Sequence, residues 1–370
     1  MSERSLSAIV LAAGQGTRMR SARPKPLHLL CGKPLVAYVL DALAGCMVDR
    51  AVVVVGHGGD LLVKKLGELE GTAALEFVEQ REQRGTGDAV AVGLTGLPED
   101  ELADLDTDDG DVVVLPADTP LVQPGTLAAL VDEHRLSGAA CTLLTARMDD
   151  PTGYGRAVRD KDGRVRRIVE ERDANEAERA IDEINTGIYV FRRGLLAPAL
   201  RRLAPDNAQG ELYLTDVIEV LSEAGHQVVS LVAEDATEIR GVNDRAELAA
   251  AETELRRRTN ERWMRAGVTL VDPASTTIDA GVRLAPEVTI FPGTLLRGTT
   301  EVGEGSEIGP HAHLIDTRVG RRAHVSESSA RHAEIGDDAV VGPYAVLEPG
   351  SRVLPGARTG PFYTATTTTH

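Results

Sequence analysis

The chain has 370 residues, 42% of them hydrophobic, which is too much for one ordinary core and ample for two packed domains. A formal net charge of −17 and a pI near 5.0 exclude a protein that coats nucleic acid or an anionic membrane, because such partners need a broad basic face. Against that background the stretch from Arg4 to Leu40 holds no Asp or Glu and carries Arg4, Arg18, Arg20, Arg23, Lys25 and Lys33, a local positive field suited to phosphate chemistry.

Residues 7–11 form an apolar run ending on a glycine-rich loop, and residues 34–43 then carry apolar side chains at helical spacing with Pro in the first turn, which reads as strand, loop and helix. The pattern recurs in 51–55 followed by 60–69, and in 112–115 followed by 125–136, each a β-branched run and then an amphipathic stretch. Such alternation predicts a mostly parallel sheet covered by helices. Further strands are expected at 141–146, 164–169 and 187–191, with helices at 194–203, 214–223 and 245–265, the last as a linker.

After Gly267 the pattern changes. Ile278, Leu284, Ile290, Leu296, Val302, Ile308 and Leu314 follow one another at intervals of six. Four places after each of the first six stands a small or β-branched residue: Val282, Val288, Thr294, Thr300, Ser306 and Ala312. Aliphatic side chains at this interval point into a triangular prism whose corners take the small ones, the hexapeptide pattern of a left-handed parallel β-helix of about five coils. Arg318 stands where the next small residue would fall, and the phase returns only with Ile335, Val341, Leu347 and Val353, so residues 315–334 are expected to bulge out as a loop.

Cys31, Cys46 and Cys141 have neither CxxC spacing nor nearby histidines, which argues against a zinc site or a disulfide framework and for a reduced, cytoplasmic setting. No long apolar region opens the chain and no apolar run is long enough to span a bilayer, so a soluble protein is expected.

Leu11-Ala12-Ala13-Gly14-Gln15-Gly16-Thr17-Arg18 follows the first strand, and its small residues let backbone amides surround an anion. It is not a Walker loop, since no Gly-Lys-Ser/Thr follows, and it lacks the third spaced glycine of a dinucleotide fingerprint. Alone it is equally well an ordinary strand-to-helix turn. Arg18 and the proline-stiffened segment Arg23-Pro24-Lys25-Pro26 carry cations toward the same mouth, so the loop is charged as well as shaped. Asp118 follows the apolar run in Leu115-Pro-Ala-Asp118-Thr-Pro-Leu121, which puts a carboxylate at the carboxyl end of a parallel strand, where ligands bind in such sheets.

Leu-Ala-Ala-Gly-Gln-Gly-Thr-Arg with Pro24-Lys25-Pro26-Leu27-His28 resembles the signature of sugar-nucleotide pyrophosphorylases. In detail the chain is similar, from about residue 7 to about residue 360, to the bifunctional N-acetylglucosamine-1-phosphate uridylyltransferase/glucosamine-1-phosphate acetyltransferase family. The resemblance implies an α/β, Rossmann-like nucleotidyltransferase domain with a mixed, mostly parallel sheet over residues 1–244, a linker helix at 245–266 and the left-handed β-helix over 267–370. It implies nucleotide contacts from Leu11, Ala12, Ala13, Gly14, Gly16 and Lys25, with Gln80, Gly85 and Thr86 meeting a uracil. Gly155, Glu170 and Asn185 correspond to elements that hold the amino sugar, and the segment 207–216 is given no role beyond shaping that side. Asp118 and Asn243 correspond to ligands of Mg²⁺, a hard cation that suits oxygen donors and takes phosphate and water for the rest. Read singly, Asp118 is also a helix cap or turn residue, Thr86 a helix cap, Glu170 one charge among Arg166, Arg167, Glu171 and Arg172, and Asn243 a turn residue.

The implied reaction joins UTP to N-acetylglucosamine 1-phosphate, with Arg18 and Lys25 as catalytic cations, in a homotrimer assembled through the β-helix. The family continues into further coils that carry acetyl transfer; here the motif Leu-Arg-Pro-Gly reads Leu347-Glu348-Pro349-Gly350, and the expectation is no acetyltransferase activity. Two other readings compete. One is a nucleotidylyltransferase for another base or sugar 1-phosphate; the other is a non-catalytic trimeric scaffold that only binds nucleotide.

Overall fold

A computed structural model of the chain describes residues 5–56, 59–68, 75–97 and 110–365. The expected helix end at Leu69 and the tail histidine His370 lie outside the described residues. Two compact units form, residues 1–28 with 34–247, and residues 29–33 with 248–370.

The first unit is built on a nine-stranded sheet. Its strands are β1 Leu6–Ala12, β2 Arg50–Gly56, β3 Leu75–Gln80, β4 Asp111–Pro116, β5 Cys141–Arg147, β6 Arg156–Arg159, β7 Val165–Val169, β8 Glu183–Arg192 and β9 Val228–Val232. Across the sheet they run β9-β5-β8-β4-β1-β2-β3, with β6 pairing β8 and β7 pairing β6. β1 is parallel to β2 and β4, β2 to β3, and β9 to β5. β8 alone enters this path antiparallel, between β4 and β5. The sheet is therefore mixed and mostly parallel. Its central strands are apolar without alternation because both faces are covered: Val53 packs into one core cluster while Val52 and Val54 pack into the other.

The covering helices are α1 Leu35–Ala44, α2 Asp60–Gly67, α3 Thr86–Leu94, α4 Pro124–Ser137, α5 Glu176–Arg179, α6 Arg193–Leu200 and α7 Asp216–Glu223, and α8 Arg245–Arg265 follows them. Pro in the first turn of α4 and left-handed Gly138 at its end obey the usual start and stop chemistry. β3, β6 and β9 were not expected from the sequence, and β8 starts at Glu183, four residues earlier than its apolar run, so that it carries Asn185. Among the described residues no helix is long and apolar enough to cross a membrane.

The second unit is a parallel β-helix whose three faces are sheets of five, six and five short parallel strands. Ile278, Ile290, Leu296, Ile308 and Leu314 are fully buried inside it, as are the corner residues Thr294, Thr300, Ser306 and Ala312. Residues 29–33 join this unit, where the Ala280 N–H donates to the Cys31 carbonyl at 2.9 Å.

The expected loop at 315–334 is not there. Strands Arg318–Val319, His324–Val325 and Ser329–Arg331 continue the three faces, pairing in parallel with the coils on either side. The inward residues are Val319, Val325 and Ala330, all buried. Three of the steps between Leu314 and Ile335 are five residues long instead of six, which destroys a period-of-six match without interrupting the prism. Each shortened corner turns on a residue in the left-handed region, Asp316 (φ 47°), Glu327 (φ 45°) or His332 (φ 46°).

Candidate active site

β1 ends at Ala12, and the chain leaves the sheet's carboxyl edge through Ala13, Gly14, Gln15 and Gly16. Two backbone-level bonds hold this loop. The Ala117 N–H donates to the Leu11 carbonyl at 3.0 Å, and the Gln83 side-chain amide donates to the Ala13 carbonyl at 2.7 Å. A cleft of about 530 Å³ opens beside the loop, lined by Ala12, Ala13, Gly14, Arg23, Arg81 and Gln83 among others.

Gly16 is left-handed (φ 59°), and a β-carbon there would meet the Lys25 Cβ at 2.7 Å. The absent side chain thus makes room for the Lys25 stem, which runs past the loop to bring its ammonium against Asp118, a salt bridge mostly shielded from water. The same ammonium donates to Asn243 Oδ1 at 2.8 Å, and Arg18 Nη2 donates to that oxygen at 2.9 Å. Residues separated by 93 and 218 positions along the chain therefore meet at one point.

Local bonds fix this cluster. The Val242 N–H donates to the Asp118 carbonyl at 2.8 Å, which lays the segment before α8 alongside the strand end. Glu247 accepts from the Asn243 N–H at 2.5 Å, and Asp244 caps α8 by accepting from Ala246 N and Glu247 N. Arg245 Nε donates to the Met19 carbonyl at 3.1 Å, tying the helix start to the residue after Arg18. The two long-range ties, Val242 to Asp118 and Arg245 to Met19, are not visible in the spacing of the sequence. Among the described residues no three His, Cys, Asp or Glu side chains converge as a metal cluster. Asp118 and Asn243 instead present one carboxylate and one amide oxygen to a single cationic group, a donor pair that fits a hard cation whose remaining ligands come from phosphate and water.

Gln80, the last residue of β3, is buried, and its amide nitrogen donates to the Gly85 carbonyl at 3.1 Å and to Asp88 Oδ2 at 2.8 Å. Thr86 Oγ1 accepts from the Leu214 N–H at 3.0 Å, and the Gly87 N–H donates to the Leu212 carbonyl at 2.8 Å. A β-carbon on Gly85 would meet that carbonyl oxygen at 2.5 Å, so this loop and the 207–216 segment fit only with glycine there. The segment thus braces the Gln80–Thr86 side, a role beyond the one its sequence suggested.

Gly155, Glu170 and Asn185 also come together. The Asn185 N–H donates to the Gly155 carbonyl at 2.8 Å, and a β-carbon on Gly155 would lie 3.5 Å from Glu170 Cδ. Thr215 Oγ1 donates to Glu170 Oε1 at 3.2 Å, and Asn185 Nδ2 donates to the Tyr189 hydroxyl at 2.7 Å. Burial holds the Glu170 carboxyl above its ordinary range, aided by Asp216 and Asp173 and opposed by the Thr215 hydrogen bond. Tyr154, next to Gly155, is raised by burial and then by the charge of Glu247, opposed by Arg240. Burial pushes the thiols of Cys31 up to about 12 and Cys46 up to about 11, so both are held protonated.

Such an arrangement can grip a polyphosphate at the glycine loop and hold a second, polar substrate near Glu170. The nucleotidyl transferase family model matches residues 7–267. "Bifunctional protein GlmU" of Streptomyces avermitilis is 47% identical over 360 residues, covering 97% of this chain and 73% of the relative. The protein of the same name from Heliobacterium modesticaldum is 44% identical over 356 residues, covering 96% of this chain and 75% of its own length. A third, from Kineococcus radiotolerans, is 46% identical over 357 residues, covering 96% of this chain and 70% of the relative.

Proposed function

We infer the function from one premise: the chain belongs to the nucleotidyl transferase family and, within it, to the bifunctional GlmU proteins. It is a nucleotidyltransferase that forms UDP-N-acetylglucosamine and pyrophosphate from UTP and N-acetylglucosamine 1-phosphate. What carries the reading is the meeting of Arg18, Lys25, Asp118 and Asn243 at the mouth of the glycine loop, four residues a purely structural domain has no need to assemble.

A sugar phosphate oxygen attacks the α-phosphorus of UTP, the bond to the β-phosphate oxygen breaks, and pyrophosphate leaves. Such a transfer asks the protein for position and charge stabilisation rather than for a nucleophile. The loop from Leu11 to Gly16 offers backbone amides to the triphosphate. Lys25 and Arg18 meet the negative charge that builds on it. Gln80, Gly85 and Thr86 take the base, and Gly155, Glu170 and Asn185 orient the sugar. Asp118 and Asn243 would hold the Mg²⁺ that family membership implies, which when bound supplies neutralisation of phosphate charge.

The proposal divides the chain into a catalytic domain at 1–244, a linker helix and a β-helix, and includes a homotrimer built through that β-helix. It assigns the chain the uridylyl half of the family's two activities alone, on the strength of Glu348 where the resemblance expects a basic residue. Pyrophosphate release measured over a panel of nucleoside triphosphates and sugar 1-phosphates, with and without Mg²⁺ and with acetyl-CoA turnover in parallel, tests it. The expected result is Mg²⁺-dependent release with UTP and N-acetylglucosamine 1-phosphate; release with a different pair, or with none, overturns the reading.

A further inference from the structure

Gln80 carries a chemical ambiguity that two neighbours, one of them the Asp88 carboxylate, remove. A carboxamide has an acceptor oxygen and a nitrogen with two N–H donors, and it can present either end to a ligand. Here both donors are spent inside the protein, one on Asp88 Oδ2 at 2.8 Å and one on the Gly85 carbonyl at 3.1 Å. Turning the amide over would set its oxygen against two acceptors, so only one orientation is compatible with Asp88. Oε1 of Gln80 accepts none of the described hydrogen bonds and is not among the buried unpaired atoms, so it is the end left for a ligand.

We propose that Asp88 is a positioning residue that locks the Gln80 carboxamide with its oxygen toward the base and thereby selects a pyrimidine bearing a ring imide. The inference rests on the reading above that a base sits at Gln80, Gly85 and Thr86. The Gly85 and Thr86 N–H groups, at the start of α3, donate in none of the described hydrogen bonds. An acceptor flanked by such donors complements the acceptor–donor–acceptor edge of uracil. It opposes cytosine, whose ring nitrogen is an acceptor facing the Gln80 oxygen. A site built this way rejects the wrong base because its own polar groups are left unpaired.

The test measures UTP and CTP binding by calorimetry on the whole chain, so it does not depend on transfer activity. Wild type prefers UTP. Asp88→Ala removes the shorter of the two restraints, leaving the Gly85 carbonyl alone to orient the amide, and lowers the UTP-to-CTP affinity ratio about tenfold, the scale of one well-placed hydrogen bond. Asp88→Asn, which keeps an acceptor, retains most of the ratio, and this variant also guards against a folding failure of the alanine. Gln80→Ala loses the same selectivity, and Asp88→Ala adds nothing to it, because Asp88 acts only through Gln80. Additive losses, an unchanged ratio in Asp88→Ala, or a wild type that binds both nucleotides equally each overturn the proposal. Failure of the transfer reading shows separately, as UTP-selective binding without pyrophosphate release.

Discussion

Lys25 and Asp118 form a shielded ion pair, and the same ammonium reaches the Asn243 oxygen at 2.8 Å, so a protein cation stands between the two donors proposed for the metal. The Asp118 and Asn243 oxygens that Lys25 holds become open to a divalent ion when Lys25 moves, and an incoming triphosphate is the natural destination for that ammonium. Lys25→Met should therefore tighten Mn²⁺ binding in the absence of nucleotide, by roughly tenfold, because it removes a competing charge within contact distance. The same substitution should lower turnover by about 10²-fold or more through loss of a preorganised charge donor. Water-proton relaxation during Mn²⁺ titration reads the first effect without any turnover. Weaker Mn²⁺ binding in the variant would show that Lys25 supports the donors rather than occupying their place.

The path of Lys25 depends on Gly16. Alanine there puts a β-carbon 2.7 Å from the Lys25 Cβ in a left-handed turn, so the lysine stem must shift while the buried core is untouched. Gly16→Ala is expected to lower kcat by about 10-fold to 100-fold, the range for displacing a catalytic group by an ångström, with a melting temperature close to wild type. A variant of full activity would mean that the stem can take another route to Asp118.

Asp216 gives a pH dependence with a defined sign. Burial, then the charges of Glu219 and Asp173, push its carboxyl up to about 6, although the start of α7 favours a negative charge. The folded state then keeps a proton that the unfolded chain releases from about pH 4 upward, so this group's contribution to stability is lost as pH rises toward 6. Asp216→Asn should melt higher than wild type at pH 8, with the difference shrinking toward zero near pH 4. Scanning melts at both pH values check it, and a difference that grows on acidification would contradict the assigned direction.

How much of this was legible in the sequence depends on the range of the interaction. The β1 loop, the early strand–helix alternation and the six-residue steps of the prism are local patterns, and the structure keeps them with ends moved by one or two residues. Strand β3, Leu-Glu-Phe-Val-Glu-Gln, offered no clear period, and β6 is only four residues long, too short to leave one. The residues themselves singled out Lys25 and Asp118, and the resemblance added Asn243. Their contact depends on the Val242 to Asp118 backbone bond and on Arg245 reaching Met19, links across more than a hundred positions that no spacing rule encodes. Asp88 went unnoticed for a different reason. An acid in the first turn of a helix is ordinary, and only the orientation of the Gln80 amide gives it a task.

The shortened coil offers the sharpest check on the fold. A period of six fails after Leu314, which reads as a loop, yet Ala330 is paired in register with Leu314 on one side and Leu347 on the other. Two of the three short steps, Val325 to Ala330 and Ala330 to Ile335, flank Ala330 directly, so the chain turns into and out of this strand one residue early on both sides. A buried alanine stands at this position where the coils on either side place leucine. Ala330→Leu forces a larger side chain into a buried position between Leu314 and Leu347, and it should destabilise the β-helix by about 1–3 kcal/mol, as overpacking does. Leu347→Ala, at the buried position paired with residue 330, should instead leave a cavity and cost about 2–5 kcal/mol. Denaturant melts of the two variants decide between prism and loop: a solvent-exposed bulge would tolerate leucine at 330 within about 0.5 kcal/mol, whereas a continuous prism cannot.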